Sequence, residues 1–379
     1  MNIAVNTRLL LKGKLEGIGW FTYETLKRIT EQHPEHNFFF IFDREYDNDF
    51  IFAPNVTPIV LTPPTRHPFL WILWFEFRIP KLLKKIKADI FVSTDGYLSL
   101  RTNIPQIDVI HDINFAHNPE QLPFLTSWYY NKFFIKFARK ATHIGTVSEF
   151  SKKDICTAYN IPEDKITVCY NGSNEEYKPI SDEEKSEVRA KYSNGKRYFL
   201  FVGALGPRKN VDGLLRSFEI FKNKYNCDIN LVIVGGSLHK TKVIEKVYSE
   251  MDNKDSVIFT GRLENKELSK VMAAAECLTY IPHFEGFGIP LLEAMHAETA
   301  IISGDSTSLP EVVGNAALMC HATDYENVAE NMYRIYTDED LRKSLIEKGK
   351  LQRTKFSWQY TADKLWNCIE IAIKQVQAC

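Results

Sequence analysis

Short apolar runs of strand length alternate with amphipathic segments of helix length along this chain. The alternation stops once and then starts again. Strand-like runs fall at 2–6, 38–42, 55–62, 89–93, 107–111, 143–147 and 166–169, with helical patterns at 20–32, 68–87, 127–139 and 149–159 between them. Parallel strands need a connection of helix length, so this order predicts a parallel sheet covered by helices. Around 178–194 the pattern breaks: Pro179 is followed by the charged run Ser181-Asp182-Glu183-Glu184-Lys185, read as a linker with an entry helix. Strands then resume at 198–203, 230–234, 257–260, 277–281, 299–303 and 317–320, with helices at 211–225, 240–251, 265–276, 325–336, 339–356 and 358–377. The predicted fold class is α/β, with two doubly wound halves facing a cleft. Ligands of such sheets lie beyond the carboxyl ends of the strands.

A chain of 379 residues suits two domains, and an apolar share of 44% supplies their cores. Net charge is −1, which excludes the basic surface a nucleic-acid binder needs. The first residues read directly as a strand, without a basic stretch and apolar core, so no signal peptide is expected. No apolar run reaches the length of a membrane span. The seven cysteines are scattered and never spaced C-x-x-C. That spacing predicts reduced thiols, no metal site and a cytoplasmic location.

The chemistry concentrates at the loops that follow strands. Cys277-Leu278-Thr279-Tyr280-Ile281 runs into His283-Phe284-Glu285-Gly286-Phe287-Gly288-Ile289-Pro290, and Pro290 suits the first turn of a helix. Strand, glycine loop and helix start together favour an anion, because the first N–H groups of the helix point at it. Glu285 and Glu293 bracket that position. Carboxylates repel phosphate, so they suit the hydroxyls of a sugar or ribose beside it. The alternative is a chain turn followed by a solvated helix residue. After strand 198–203, Arg208 and Lys209 offer one forked donor and one point charge, which fits a diphosphate better than a solvated pair. The loop with Gly13, Gly17 and Gly19 lacks the G-x-G-x-x-G spacing. It is read either as close backbone approach to a diphosphate or as a plain turn.

His111-Asp112 ends a strand of the first half. The imidazole either faces the cleft and a substrate hydroxyl or is a buried histidine held by Asp112. Ser148 reads as a helix N-cap, Tyr170-Asn171-Gly172 as a closing turn, and 306–311 as a hydroxyl-rich loop packed under the Glu285 loop. The segment 69–87 also has two readings. It is an interfacial helix led by Trp71 and Trp74 that reaches a lipid-linked acceptor, or a core-facing helix with a lysine-rich solvent end.

These motifs together resemble retaining glycosyltransferases of family 4. The resemblance rests on Glu285 and Glu293 around Gly286-Phe287-Gly288, and on the run Phe201-Val202-Gly203-Ala204-Leu205-Gly206-Pro207-Arg208-Lys209-Asn210. Val109-Ile110-His111-Asp112, Val147-Ser148-Glu149-Phe150-Ser151 and 308–314 extend it toward the branch of bacterial O-antigen and capsule mannosyltransferases. The resemblance implies the GT-B architecture of two Rossmann-like domains. Residues 1–178 would form the acceptor side, joined by the returning helix 358–379, and 179–357 the donor side.

Roles follow from the same likeness. Gly17 and Gly19 approach the donor diphosphate, and Arg208 and Lys209 neutralise it. Glu285 holds sugar hydroxyls and Glu293 the ribose. Phe287, Gly288 and Ile289 present backbone N–H groups, and His111 touches the transferred sugar. No metal and no cofactor are implied; the donor is a nucleoside diphosphate sugar, GDP-mannose by branch, with UDP- or ADP-hexoses as alternatives. The acceptor is a glycan or lipid-linked glycan at the inner face of the membrane. A sugar-nucleotide epimerase and a non-catalytic assembly subunit are the competing classes. One departure is Ala204, where many relatives carry Arg.

Overall fold

The computed structural model describes residues 1–236 and 241–377. It divides into two compact units: Met1–Asn171 with Ser357–Cys379, and Gly172–Phe356. The sequence reading placed the boundary at 178/179. The structure assigns 172–178 to the second unit, where the buried Tyr177 side chain sits beside Glu293.

Among the described residues the first unit holds seven parallel strands: β1 (Asn2–Asn6), β2 (Asn37–Phe42), β3 (Val56–Val60), β4 (Ile90–Ser93), β5 (Gln106–Val109), β6 (His143–Thr146) and β7 (Ile166–Val168). Their order is β3-β2-β1-β4-β5-β6-β7. Among the described residues the second unit holds six: β8 (Tyr198–Val202), β9 (Asn230–Val234), β10 (Val257–Gly261), β11 (Cys277–Tyr280), β12 (Ala300–Gly304) and β13 (Leu318–Cys320), ordered β10-β9-β8-β11-β12-β13. Both sheets are doubly wound. Chain order reverses between β1 and β4 in the first and between β8 and β11 in the second, the crevices where such sheets take ligands. Central strands are apolar throughout because helices cover both faces; all five residues of β8 and of β9 are buried.

Helices start and stop for local reasons. Ser148 caps Glu149–Tyr159 by accepting the Ser151 N–H at 3.0 Å, as its position predicts. Ser181 and Glu184 form a capping box on Asp182–Ser193. The helix expected at 20–32 starts earlier, at Gly17, so Gly17 and Gly19 belong to its first turn. The pattern 68–87 resolves into Pro68–Leu73, a π-helical stretch Trp74–Arg78, and Ile79–Lys85. Pro80 explains the stretch: it has no N–H for the Glu76 carbonyl, and its ring forces that turn open. Helix 124–140 begins three residues before its expected start, directly after Pro123. The expected helix 240–251 is seen as Lys242–Glu250; Lys240 lies outside the described residues.

Trp74, Phe75, Tyr129 and Phe137 form the aromatic centre of the first unit and are shielded from solvent. Trp71 Nε1 donates to Thr65 O at 2.8 Å and Trp74 Nε1 to Leu61 O at 2.6 Å. The two tryptophans therefore serve the core, as the core-facing reading of this segment has it, and the interfacial reading does not hold for them. The final helix, Trp358–Gln377, packs on helix Gly17–Gln32, with Phe21 and Trp358 edge to face at 6.5 Å.

Candidate functional site

In the second unit the loops after β8 and β11 leave adjacent strands at the reversal point, and their side chains meet. Pro207–Lys209 form one turn of 3₁₀ helix, and Asn210 follows in the left-handed conformation (φ 54°). Asn210 is buried and donates to Ile281 O at 3.0 Å and Ala322 O at 2.7 Å. The His283 N–H donates to Arg208 O at 2.9 Å. Backbone bonds thus lock the Arg-Lys turn to the Glu285 loop.

Lys209 Nζ donates to Glu285 Oε2 and to the Tyr280 hydroxyl, each at 2.6 Å, and that hydroxyl donates to Glu285 Oε2 at 3.1 Å. The Lys209 and Glu285 side chains are each 13% exposed. Burial alone would raise the Glu285 pKa, but Lys209 and Arg208 more than offset it, so the carboxyl stays ionised. Lys209, expected on the diphosphate, therefore also holds Glu285, and Arg208 adds its field from the same turn. Behind them the Ser308 hydroxyl donates to Glu285 O at 2.9 Å, which places the 306–311 loop under the Glu285 loop as expected.

Gly288 precedes helix Ile289–His296 at φ 94°, a conformation costly for any residue with a Cβ. A Cβ there would also meet Leu309 Cδ2 at 2.9 Å. Phe287 is buried edge-on against Phe356 at 5.6 Å, fixing the loop from below. The positive end of the helix dipole opens at Ile289. Glu293 is half-buried on the second turn. Burial pushes its carboxyl up to about 7, against the Tyr177 hydroxyl that donates to it. Glu285 and Glu293 thus differ in charge at neutral pH although both belong to one loop and helix.

The glycine ends of β8 and β9 press together. A Cβ on Gly235 would lie 1.8 Å from Gly203 O, so only glycine permits this approach.

In the first unit, His111 Nε2 lies 2.9 Å from Thr94 O. A carbonyl only accepts, so Nε2 carries the proton and Nδ1 is the acceptor. Burial lowers the ring's pKa, leaving it neutral at pH 7. Phe21, on the helix that Gly17 and Gly19 begin, meets the ring edge to face at 4.9 Å. Thr94 also links to Thr22 of that helix, Oγ1 to Oγ1 at 2.7 Å. The structure thus joins His111 to the glycine-started helix through Thr94 and Phe21. The Asp112 carboxylate instead accepts the Asn114 N–H at 3.0 Å.

Sequence reasoning missed a second cluster at the strand ends of this unit. Arg8 Nε donates to Asp95 Oδ2 at 2.6 Å, its guanidinium stacks 4.0 Å over Tyr97, and Asn6 donates to Asp95 Oδ1 at 2.8 Å. It missed Tyr280, Tyr177 and Asn210 as site residues too. The one available signal was position: Tyr280 closes a buried strand and Asn210 directly precedes a helix.

Residues 182–352 match the family Glycosyl transferases group 1, and residues 15–177 match Glycosyltransferase Family 4. The O-antigen chain mannosyltransferase B of Escherichia coli is 28% identical over 76% of this chain and 76% of its own length. The O-antigen chain mannosyltransferase RfbU of Salmonella typhimurium is 29% identical over 72% of each. Sucrose-phosphate synthase from Thermosynechococcus elongatus superposes with a TM-score of 0.78 at 16% identity, covering 99% of both chains, and carries the likeness of fold. The chain therefore belongs to glycosyltransferase family 4, with GT-B architecture, and is a hexosyltransferase whose family implies a nucleotide-sugar donor and a glycan acceptor.

Proposed function

We propose that this enzyme transfers mannose from GDP-mannose, with retention at the anomeric carbon, to a glycan or lipid-linked glycan in cell-surface polysaccharide synthesis. It would act in the cytoplasm at the inner face of the membrane. The observation that carries the reading is the meeting of Lys209, Arg208 and Glu285 at the opening of helix Ile289–His296, with Glu293 on its second turn. Cations and a helix dipole suit a leaving diphosphate; carboxylates beside them suit hydroxyls. The names of the curated relatives favour mannose as the transferred sugar.

In this reading Arg208 and Lys209 stabilise the charge that grows on the diphosphate as the glycosidic bond breaks. The N–H groups around Phe287, Gly288 and Ile289 add to that stabilisation without reorganising. Glu285, held by Lys209 and Tyr280, accepts hydroxyls of the sugar, and Glu293 those of the ribose. Gly17 and Gly19 let the first helix start close to the diphosphate. His111 presents its Nδ1 acceptor to a sugar hydroxyl. The departing phosphate takes the acceptor's proton, and attack comes from the face it leaves. No metal or further cofactor is needed in this scheme.

A donor screen tests it. Thermal shift with GDP-, UDP- and ADP-hexoses, followed by product analysis, should show stabilisation and turnover with GDP-mannose and an α-linked product. Turnover of a UDP-hexose alone would overturn the donor, and epimer formation without acceptor would overturn transfer.

A further inference from the structure

Helices 68–85 and 124–140 lie in the crossovers from β3 to β4 and from β5 to β6, which run in the same direction across the sheet. Right-handed connections of one direction place their helices on one face. The two helices also touch, with Trp71 stacked on Tyr130 at 5.7 Å. Their inner sides build the core, while their outer sides expose large apolar groups: Phe69 (62%), Leu73 and Phe77 (48%) on the first, and Phe124 (81%), Leu125 and Trp128 on the second. Phe69, Leu73 and Phe77 recur every four residues, as do Phe124 and Trp128, so each set forms a stripe along its helix.

The charge on this face is one-sided. The two helices carry eight Lys and Arg and one carboxylate, Glu76, in a chain whose net charge is −1. Glu76 is buried and accepts the Leu100 N–H at 3.2 Å, so neither helix shows a carboxylate to solvent. Basic groups sit against the exposed rings: Lys132 Nζ lies 4.7 Å from the Trp128 ring centre, and the Arg101 guanidinium 4.2 Å from that of Phe77.

We propose that this two-helix face docks the enzyme on an anionic lipid bilayer. Rings inserted at headgroup depth with lysine and arginine heads beside them are the arrangement such a surface selects. A second copy of the chain is disfavoured, since two faces of this charge repel. Protruding rings without a groove suit a fluid surface better than a folded acidic partner. The proposal rests on the lipid-linked acceptor of the preceding reading and names the surface that brings the enzyme to it. It also replaces Trp71 and Trp74 by Phe69, Phe77, Phe124 and Trp128 as the groups that meet lipid.

Vesicle co-sedimentation of the full chain tests it, comparing phosphatidylcholine with mixtures holding about 30 mol % phosphatidylglycerol. Binding should require the anionic lipid and weaken as salt rises. Each basic side chain at such a surface contributes roughly fivefold in partitioning, so Lys132→Glu with Lys136→Glu should lower binding by more than about tenfold. Phe69→Ser with Phe77→Ser, and Phe124→Ser with Trp128→Ser, should do likewise. All six positions are exposed, so each variant should keep wild-type melting and donor turnover in the absence of vesicles. Unchanged binding by the variants, or binding to neutral vesicles alone, overturns the proposal. So does a loss of self-association or of acidic-protein binding in place of a loss of vesicle binding. Failure of GDP-mannose as donor leaves the vesicle result intact, so the two readings fail separately.

Discussion

Lys209 Nζ sits 2.6 Å from Glu285 Oε2, although 76 residues separate them in the chain. The pair is nearly closed to water, so each charge depends on the other. Removing one partner strands the second, which costs more than removing both. Lys209→Ala should lower stability by about 2–4 kcal/mol. Lys209→Met combined with Glu285→Gln should recover most of that in chemical denaturation. Activity should not follow stability: kcat/KM should fall roughly 100-fold or more in both, since the diphosphate loses a fixed cation. A double variant with wild-type turnover would remove the pair from the site.

Glu293 provides a pH test. Its carboxyl titrates near 7 in the folded chain, against an ordinary 4.5 when unfolded. The folded state therefore binds a proton between those values that the unfolded state lacks, and stability from this group declines as pH rises through 7. Glu293→Gln should be close to neutral below pH 5 and stabilising above pH 7, by on the order of 1–3 kcal/mol. Only the ionised carboxylate accepts two ribose hydroxyls, so the donor KM should drop as pH rises through 7 in the native enzyme. It should be high and flat in the variant. A flat native profile would sever Glu293 from the donor.

Gly235→Ala should be far worse than the neighbouring Gly236→Ala. The added methyl at 235 would lie 1.8 Å from Gly203 O, whereas at 236 it meets nothing within 4 Å. The first change must push back the turn that carries Arg208 and Lys209. A loss of about 2–4 kcal/mol and a raised donor KM are expected for 235, and near-native values for 236. Equal melting temperatures would mean that the β8 and β9 ends give way easily.

Trp74→Ala should cost about 3–5 kcal/mol, because the indole is wholly buried and its N–H would leave Leu61 O unpaired. Phe77→Ala, one turn away and half exposed, should cost little. Urea unfolding of the two separates core from surface on the same helix.

The strands were legible because buried parallel strands are written as plain apolar runs. All thirteen expected positions carry one, whereas the strand order that sets the two reversal points comes from the structure. Segment 68–87 was ambiguous because it is apolar on most sides, so periodicity could not tell Trp74 from Phe77. The site residues on one loop, Glu285 through Glu293, could be read together since the spacing is local. The Lys209–Glu285–Tyr280 contact could not. Nor could Asn210, whose partners Ile281 and Ala322 lie 71 and 112 residues away. Long-range pairing of charges depends on strand order, which motifs do not contain. The early start of the first helix was hidden because glycines at 17 and 19 carry little helix propensity.

The helix Trp358–Gln377 packs on the unit that begins at Met1, while 172–356 forms a unit of its own. During synthesis on the ribosome the first unit is therefore begun first and finished last. Its helix Gly17–Gln32 keeps an uncovered apolar side until helix Trp358–Gln377 emerges, after residues 172–356 have been made. A nascent chain stalled just before residue 358 would hold all of the second unit and an unfinished first unit. Quality control that senses exposed apolar surface would thus read the first unit to judge whether helix Trp358–Gln377 has been translated.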